Sequence, residues 1–454
     1  MNRRPHRELG LHSGFYRNVC PLALDVLFAF GLLSVTASQL RLVGTAIGPG
    51  EACLAAWTVL MLIGEASRLG PPLTPVLGRL VIFWSLFACA ESFGTLAGYA
   101  IGDVHDPGLF LHDILAYPLV AAISCLMVIE PGAAFRLRRV AWLLAAFGAA
   151  FLTLQLANAS ELFAVANIQP WYWDRLRGWA ENPNQLAFLC VVLALVSLHL
   201  FETVRGVAAK SGAAACAVLA IYVGRLTKSD TFVLALVLAG PVFVALKLRS
   251  WLHTFDGAVT ARYALGWIVI LILPVVVLSV ARFGDSIGTD VEAYAAEFSK
   301  DGGAGTQDEA RLRIWAWREA INRSLETGML GLGPGPHISI PDSIVAARHY
   351  KNEPENLDHP AVNGIPNFEA HNTIMDLLVQ GGLVAVLGFI WLAATTFAAT
   401  YRANLVALTA LLVGLGVFSN FHLIVRYPLF WFAIALCLVT GTSGERTFAV
   451  RAGG

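Results

Sequence analysis

The sequence predicts an all-α fold: a polytopic membrane helical bundle of about 12 transmembrane helices with a helical extracytoplasmic loop subdomain. Of the 454 residues, 57% are hydrophobic and only 14% are charged, whereas an ordinary soluble domain has about 25% charged residues. Apolar runs recur along the chain at the length of about 20 residues that a bilayer requires. The formal net charge is zero, which argues against nucleic acid as a partner.

The predicted spans are apolar runs separated by short polar connections. They lie at residues 22–42, 51–66, 80–101, 112–130, 139–157, 184–202, 212–225, 230–246, 263–282, 371–400, 404–421 and 427–442. Residues 283–369 form the one long polar segment, and within it 289–300 and 307–326 are predicted as short helices.

Lysine and arginine in the connections predict the orientation, because cytoplasmic loops are enriched in both. The short connections of one set hold six: Arg41, Arg175, Arg177, Arg225, Lys228 and Arg426. The other set, with the two ends of the chain, holds seventeen: Arg3, Arg4, Arg7, Arg17, Arg68, Arg79, Arg136, Arg138, Arg139, Arg205, Lys210, Lys247, Arg249, Arg262, Arg402, Arg446 and Arg451. Both termini are therefore expected in the cytoplasm.

This orientation divides the chain into five parts. Residues 1–20 form a cytoplasmic tail, 21–282 the first nine transmembrane helices, 283–369 a large periplasmic loop, 370–443 the last three transmembrane helices and 444–454 a second cytoplasmic tail. The protein is expected in a membrane of the inner-membrane type, in contact with membrane lipids.

The outer connection before residue 184 carries the first candidate site. Arg175 and Arg177 precede Asn182-Pro183-Asn184, with tryptophans close by. A guanidinium beside a helix N-terminus suits a diphosphate at the membrane surface. The alternative is an aromatic interfacial belt with a helix cap, which Asn182 or Asn184 and a proline at the helix start would supply.

The predicted helix 307–326 carries the second. Arg313 and Trp317 are four residues apart and share a face, as do Arg311 and Trp315. One face can dock on the membrane domain while it presents an arginine. The alternative is a solvated amphipathic helix whose arginines form ordinary salt bridges.

A histidine before the tenth span is the third. His371 and Asn372 follow Glu369 at the outer mouth of the bundle. An imidazole titrates near neutral pH and can take a proton from a sugar hydroxyl or orient it, although a histidine here can also be a plain polar helix terminus. His337, in an irregular part of the loop, is a weaker candidate.

Two further features are assigned to structure. Asp25, Glu65, Glu91 and Asp230 lie within or near the ends of spans, where burial of a charge is costly; we interpret them mostly as partners of interior arginines or polar groups. The run Gly333-Pro334-Gly335 lacks the lysine of a phosphate-binding loop, so turn chemistry is the better account.

Together these motifs resemble the O-antigen ligase and O-antigen polymerase superfamily of bacterial envelope enzymes. The resemblance covers roughly residues 170–400. It depends on the order and spacing of Arg177-Gly178, Asn182-Pro183-Asn184, Arg313-x-x-x-Trp317, Gly331-x-Gly333-Pro334-Gly335 and His371-Asn372-x-x-Met375.

The resemblance implies a metal-independent glycosyltransferase of the membrane-embedded helical (C-type) architecture, with no cofactor. Its donor would be an undecaprenyl-diphosphate-linked glycan, and its acceptor another lipid-linked glycan, lipid A core or a different hydroxyl. Carried over by residue, the catalytic groups are His371, Arg313 and Arg177. The substrate-binding groups are Arg175, Arg311, Asn184, Trp317, Asn372 and Arg225. A chain-length regulator or a flippase is a further expected partner.

One departure from the family pattern bears on the site. The family often has a Ser-Arg pair at the start of the eighth span, whereas here Ser229 is followed by Asp230. A third phosphate contact would then have to come from Arg225 or Lys228. Smaller departures are Gly328 in place of a proline and Ala385 in place of a glycine.

Several functions stay open at this point. Polymerase and ligase use the same donor, so the sequence does not separate them. A lipid-linked oligosaccharide flippase or a secondary transporter would also suit twelve spans with buried acids, but the two halves of the chain differ, which favours the enzyme. A cell-shape or peptidoglycan polymerase fits the motifs less well.

Overall fold

Helices make up nearly all of the regular structure of this computed structural model, which describes residues 21–41, 47–66, 74–103, 106–129, 132–253, 304–339, 366 and 368–452. The helices in chain order are α1 (Pro21–Ser34), α2 (Pro49–Ala66), α3 (Pro75–Ile101), α4 (Pro107–Val128), α5 (Ala133–Ala159), α6 (Pro183–Thr203), α7 (Val207–Leu226), α8 (Asp230–His253), α9 (Ala304–Glu326), α10 (Thr373–Arg402), α11 (Val406–Ser419) and α12 (Pro428–Ala452). A 3-10 turn at Ser38–Leu40 and an antiparallel hairpin of β1 (Trp171–Tyr172) and β2 (Arg175–Leu176) complete the described elements.

The all-α membrane fold is confirmed. Eleven of the twelve predicted apolar runs lie on helices, and the run 263–282 lies outside the described residues, as does the predicted helix 289–300. Seven of the described helices, α3 to α8 and α10, are long and apolar enough to cross a membrane. The predicted polar helix 307–326 is α9.

Polar caps with proline at the first turn begin several helices, as the sequence pattern leads one to expect. The Thr74 side chain accepts a hydrogen bond from the Leu77 amide at the start of α3. Asp106 does the same for two amides of α4. Asn182 accepts from the Asn184 amide at 2.8 Å before Pro183, so the alternative of a helix cap is correct for Asn182.

The centre of the bundle is packed by α6 and by the apolar part of α12, whose side chains are buried all round. Aromatic rings connect them to the first helices. Phe28 of α1 stacks on Trp57 of α2 at 4.3 Å, and Trp431 of α12 lies 4.5 Å from Trp84 of α3. Such pairs add stability beyond the area they bury.

Two of the acids predicted within the spans are deeply buried. Asp25 of α1 is fully buried and forms ion pairs with Arg136, at 3.5 Å, and with Arg139 of α5, which confirms its interpretation as a partner of interior arginines. Glu91 of α3 packs against Gly381 instead, and neither of its carboxylate oxygens has a hydrogen-bond partner among the described residues.

Helix α10 is broken at Gly382, where φ is +63°. The glycine-rich turn after α9 fills the break. The Leu332 amide donates to the Val379 carbonyl at 2.7 Å, and the Gly333 amide donates to the Gln380 carbonyl at 2.8 Å. In a bilayer a broken helix survives only where other groups satisfy its carbonyls. The turn chemistry predicted for residues 333–335 is therefore structural.

Helix α9 docks on the start of α10 through one face. Leu312, Ala316 and Ala320 are buried at intervals of four residues in a small apolar cluster with Val379. Arg318, on the other face, is exposed. The docking side of the helix thus also carries the neighbouring positions 313 and 317 towards the bundle.

Candidate functional site

His371 is held in an unusual backbone conformation at the start of α10. Its φ is +51°, a region that costs energy for a residue with a side chain and that is often found at functional sites. The Asn372 side chain caps the helix by accepting from the Ile374 amide at 2.9 Å. Asp376 reaches back to accept from the amides of Ala370, at 2.7 Å, and Asn372.

One tertiary hydrogen bond and one local ring contact fix the segment before His371. The Trp317 indole donates from Nε1 to the Ala370 carbonyl at 3.1 Å, which ties α9 to this segment. Phe368 packs edge-on against the His371 ring, with centroids 4.8 Å apart. Trp317 and Asn372, both predicted to bind substrate, therefore position His371 in this structure.

Arg426 and the two carboxylates that it contacts, those of Asp113 and Glu369, form an arginine clamp on the same segment. Arg426, between α11 and α12, donates to the Asp113 carboxylate of α4 at 2.7 Å and to Glu369. Burial alone would lower the pKa of the Arg426 guanidinium, but Glu369 and Asp113 raise it well above its ordinary value. The clamp joins the segment that carries His371 to two transmembrane helices.

Arg313 extends from α9 to the connection between α11 and α12. Its guanidinium lies 5.6 Å from the centre of the Phe421 ring, in a cation–π contact. Among the described residues no hydrogen-bond partner is found for the Arg313 guanidinium, so its N–H donors can bind a phosphate. Phe421 is followed directly by His422.

Arg175 enters from the hairpin. Its Nε donates to the Thr227 carbonyl at 3.1 Å, and the same guanidinium lies 3.4 Å from the Asn184 side-chain oxygen. That oxygen also accepts from the Ser229 hydroxyl at 2.8 Å. Arg175 therefore comes from a different part of the chain to the position where the family often has an arginine after Ser229.

Arg177 has a different set of contacts, all within the connection between α5 and α6. Its guanidinium donates to the Gln169 carbonyl at 2.8 Å, to the Gln169 side chain at 3.0 Å and to the Glu181 carbonyl at 3.3 Å, and it lies over the Tyr172 ring. Burial lowers the pKa of this guanidinium. These contacts hold the hairpin segment together.

The remaining predicted residues either lie on the surface or have side chains that the structure does not describe. Arg225 is exposed in the last turn of α7. Lys228 forms an exposed ion pair with Asp174 at 2.5 Å. The side chain of Arg311 lies outside the described residues. Arg175, rather than Arg225 or Lys228, is thus the cationic group beside Asn184 and Ser229.

Three of these groups act electrostatically on the imidazole of His422. Burial, and then the charges of His371, Arg313 and Arg175, lower the pKa of its imidazole to about 3. These three groups come from the segment before α10, from α9 and from the hairpin, so residues at least 58 positions apart in sequence act on one imidazole in the folded chain. Two guanidinium groups and an imidazole suit a doubly charged anion next to a hydroxyl.

Comparison with known families agrees with this reading of the fold and motifs. Residues 214–390 match the family model described as O-antigen ligase. Over these residues the chain is similar to the O-antigen ligase family. This finding confirms the resemblance to the O-antigen ligase and polymerase superfamily that the motifs predicted. No curated protein matches the chain.

The matched range begins within α7 and ends in the middle of α10, so it contains Arg313 and His371. Arg175, Asn184 and His422 lie outside the matched range. The candidate site is therefore completed by segments outside the matched range, namely the hairpin, the start of α6 and the connection between α11 and α12.

Sequence reasoning missed two groups of this site. His422 lies at the end of a predicted span, and Arg426 was counted only as a charge in an outer connection. The available signal was the pair itself: a histidine and an arginine four residues apart in a short connection on the side predicted to be poor in positive charge. His337, the weaker candidate, is buried and lies 3.0 Å from the Asp103 carboxylate.

Proposed function

We propose that this protein transfers a glycan from an undecaprenyl-diphosphate-linked donor to a glycan acceptor at the periplasmic face, as an O-antigen or exopolysaccharide polymerase or an O-antigen ligase. The observation that carries the proposal is that Arg313 contacts Phe421, next to His422, while Thr373, two residues after His371, hydrogen-bonds to the His422 carbonyl. The charge of Arg175 also acts on the His422 imidazole. The match to the O-antigen ligase family supports the same class of reaction.

The proposed roles follow from the charge that develops during transfer. The acceptor oxygen attacks the anomeric carbon of the donor while the bond from that carbon to the phosphate oxygen breaks. The electron pair leaves with the lipid diphosphate, and Arg175 and Arg313 stabilise its negative charge in a partly dehydrated groove. His371 takes the acceptor proton or orients the hydroxyl. In this proposal the two guanidinium groups supply the stabilising positive charge, and no metal is required.

The predicted orientation fits this role. The charge bias puts the start of α10, the hairpin and the connection between α11 and α12 on the outer side of an inner membrane. A reporter enzyme that is active only outside the cytoplasm, inserted into residues 283–369, is expected to be active there and inactive at residue 454. The opposite pattern would overturn the assigned face.

The test uses purified full-length chain, a lipid-diphosphate glycan and a set of acceptors. Arg313→Ala and His371→Ala are each expected to lower the transfer rate about 100-fold or more, since fixed donors at a developing charge have effects of that size. Arg318→Ala is the matched control, because Arg318 is exposed on the same helix. Wild-type rates in both site variants would refute the catalytic assignment.

The products of the same assay distinguish the remaining possibilities. A ladder of glycans on one lipid identifies a polymerase, and transfer to lipid A core identifies a ligase. Transport of unaltered glycan across vesicles, with no new glycosidic bond, would support the alternative of a flippase.

A further inference from the structure

His422 carries a buried polar atom that the fold leaves unsatisfied. Its Nε2 is buried and has no hydrogen-bond partner among the described residues. Buried polar groups are nearly always paired, because leaving one unpaired costs free energy. The unpaired Nε2 of His422 lies among the charges of Arg175 and Arg313, which indicates that an anionic ligand binds there.

The backbone of His422 is fixed relative to His371. The Thr373 hydroxyl, two residues after His371, donates to the His422 carbonyl at 2.6 Å and accepts from the Ile424 amide at 3.1 Å. On the other side, the Phe421 ring lies against the Arg313 guanidinium. The Phe418 ring packs against the His422 imidazole, with centroids 5.7 Å apart. The imidazole is therefore held in place before any ligand binds.

We propose that His422 donates a hydrogen bond from Nε2–H to a phosphate oxygen of the anion that Arg175 and Arg313 bind. This inference rests on the proposed function, because the anion is the donor diphosphate, and it adds a binding residue that lies outside the matched family range. The proposal places the proton of the neutral ring on Nε2.

A neutral donor suits this position. Since burial and the neighbouring cationic groups hold the pKa of His422 near 3, the ring is uncharged at neutral pH. It can give a directed hydrogen bond without adding a third positive charge beside two guanidinium groups, which already repel one another. A hydrogen bond to a charged acceptor is also stronger than one between neutral groups.

The experiment measures binding of inorganic pyrophosphate to the full-length chain in detergent by titration calorimetry. His422→Phe keeps a planar ring and removes the donor, and it is expected to weaken binding about tenfold or more. His422→Gln places an amide N–H near the position of Nε2, and it should bind within about threefold of wild type. His422→Asn, whose amide is one carbon shorter, should weaken binding as His422→Phe does.

The controls separate this inference from the function on which it rests. His199→Phe is the matched control. His199 is also a buried histidine, but it lies in α6, 15 residues beyond Asn184, so this variant should leave the affinity unchanged. If wild type does not bind pyrophosphate, or if Arg313→Ala binds as wild type does, the diphosphate site and the role of His422 are both wrong. If Arg313→Ala binds weakly but His422→Phe binds normally, only the role of His422 is wrong. Equal losses in His422→Gln and His422→Phe would also refute it.

Discussion

At the scale of single residues, the two arginines of the hairpin segment have different environments although only one residue separates them. Side chains two positions apart in one strand point to the same side. Strand β2 ends at Leu176, between the two arginines, so this rule does not apply to Arg177. Arg175 reaches Asn184 and Thr227, whereas Arg177 contacts Gln169 and Glu181. The family motif favours Arg177, but the contacts favour Arg175.

This contrast predicts different kinetic defects. Arg175→Ala is expected to lower the transfer rate about 100-fold with little loss of thermal stability, because it removes a charge that faces the leaving group. Arg177→Ala is expected to lower the melting temperature, because it frees two backbone carbonyls of the outer connection. Rate and thermal unfolding measurements on both variants test this, and a larger loss of rate in a well-folded Arg177→Ala would reverse the assignment.

The protonation of His422 predicts a contribution to stability in acid. The unfolded chain takes up a proton at His422 below a pH of about 6.5, but the folded chain does so only near the depressed pKa of about 3. Stability is therefore lost as the pH falls from about 6.5 towards 3, by at most about 1.4 kcal/mol per pH unit. His422→Phe should lose less stability than wild type between pH 7 and pH 5 in thermal unfolding, and an equal loss in the two proteins would contradict this.

At the scale of elements, the break in α10 and the glycine turn form one interlocked unit. A Cβ atom on Gly331 would lie 2.2 Å from the Gln380 carbonyl oxygen, and one on Gly382 would lie 2.2 Å from the Met329 carbonyl oxygen. Both glycines have positive φ. The sequence indicates a turn at 331–335, but it contains no sign that the turn inserts into a neighbouring helix.

Gly382→Ala is therefore expected to destabilise the protein by about 1–3 kcal/mol from backbone strain alone, in addition to the clash. Gly388→Ala is the control in the same helix. Its Cβ would lie 3.7 Å from Phe83, an ordinary contact, so it should leave stability unchanged or raise it by about 0.5–1 kcal/mol. Thermal unfolding of the two variants in the same detergent makes the comparison, and equal stabilities would show that the break is not required.

At the scale of the whole molecule, composition and apolar run length are enough to predict a helical membrane bundle, because burial of backbone polar groups in lipid allows few other folds. The face of α9 was also predictable, since residues four apart share a face. The convergence at His422 was not. It depends on how α9, the hairpin and the connection between α11 and α12 pack together, and such long-range packing leaves no local periodicity in the sequence.

The residues that position His371 are also hard to recognise in the sequence. Asp376 and Arg426 are needed because they hold the amides and the carboxylate around His371, yet each looks like an ordinary helix-end charge in the sequence. Residues that position a functional group are identified by their partners, and the partners of Arg426 are 57 and 313 positions away.

The central claim is that Arg175 and Arg313 bind one diphosphate beside His371. Cryo-electron microscopy of the full-length chain with undecaprenyl diphosphate tests it most directly. We expect phosphate density within hydrogen-bond distance of both guanidinium groups and adjacent to the His371 imidazole. Phosphate density at the opposite end of the bundle, or bound by Arg177 with Arg175 and Arg313 unoccupied, would contradict it.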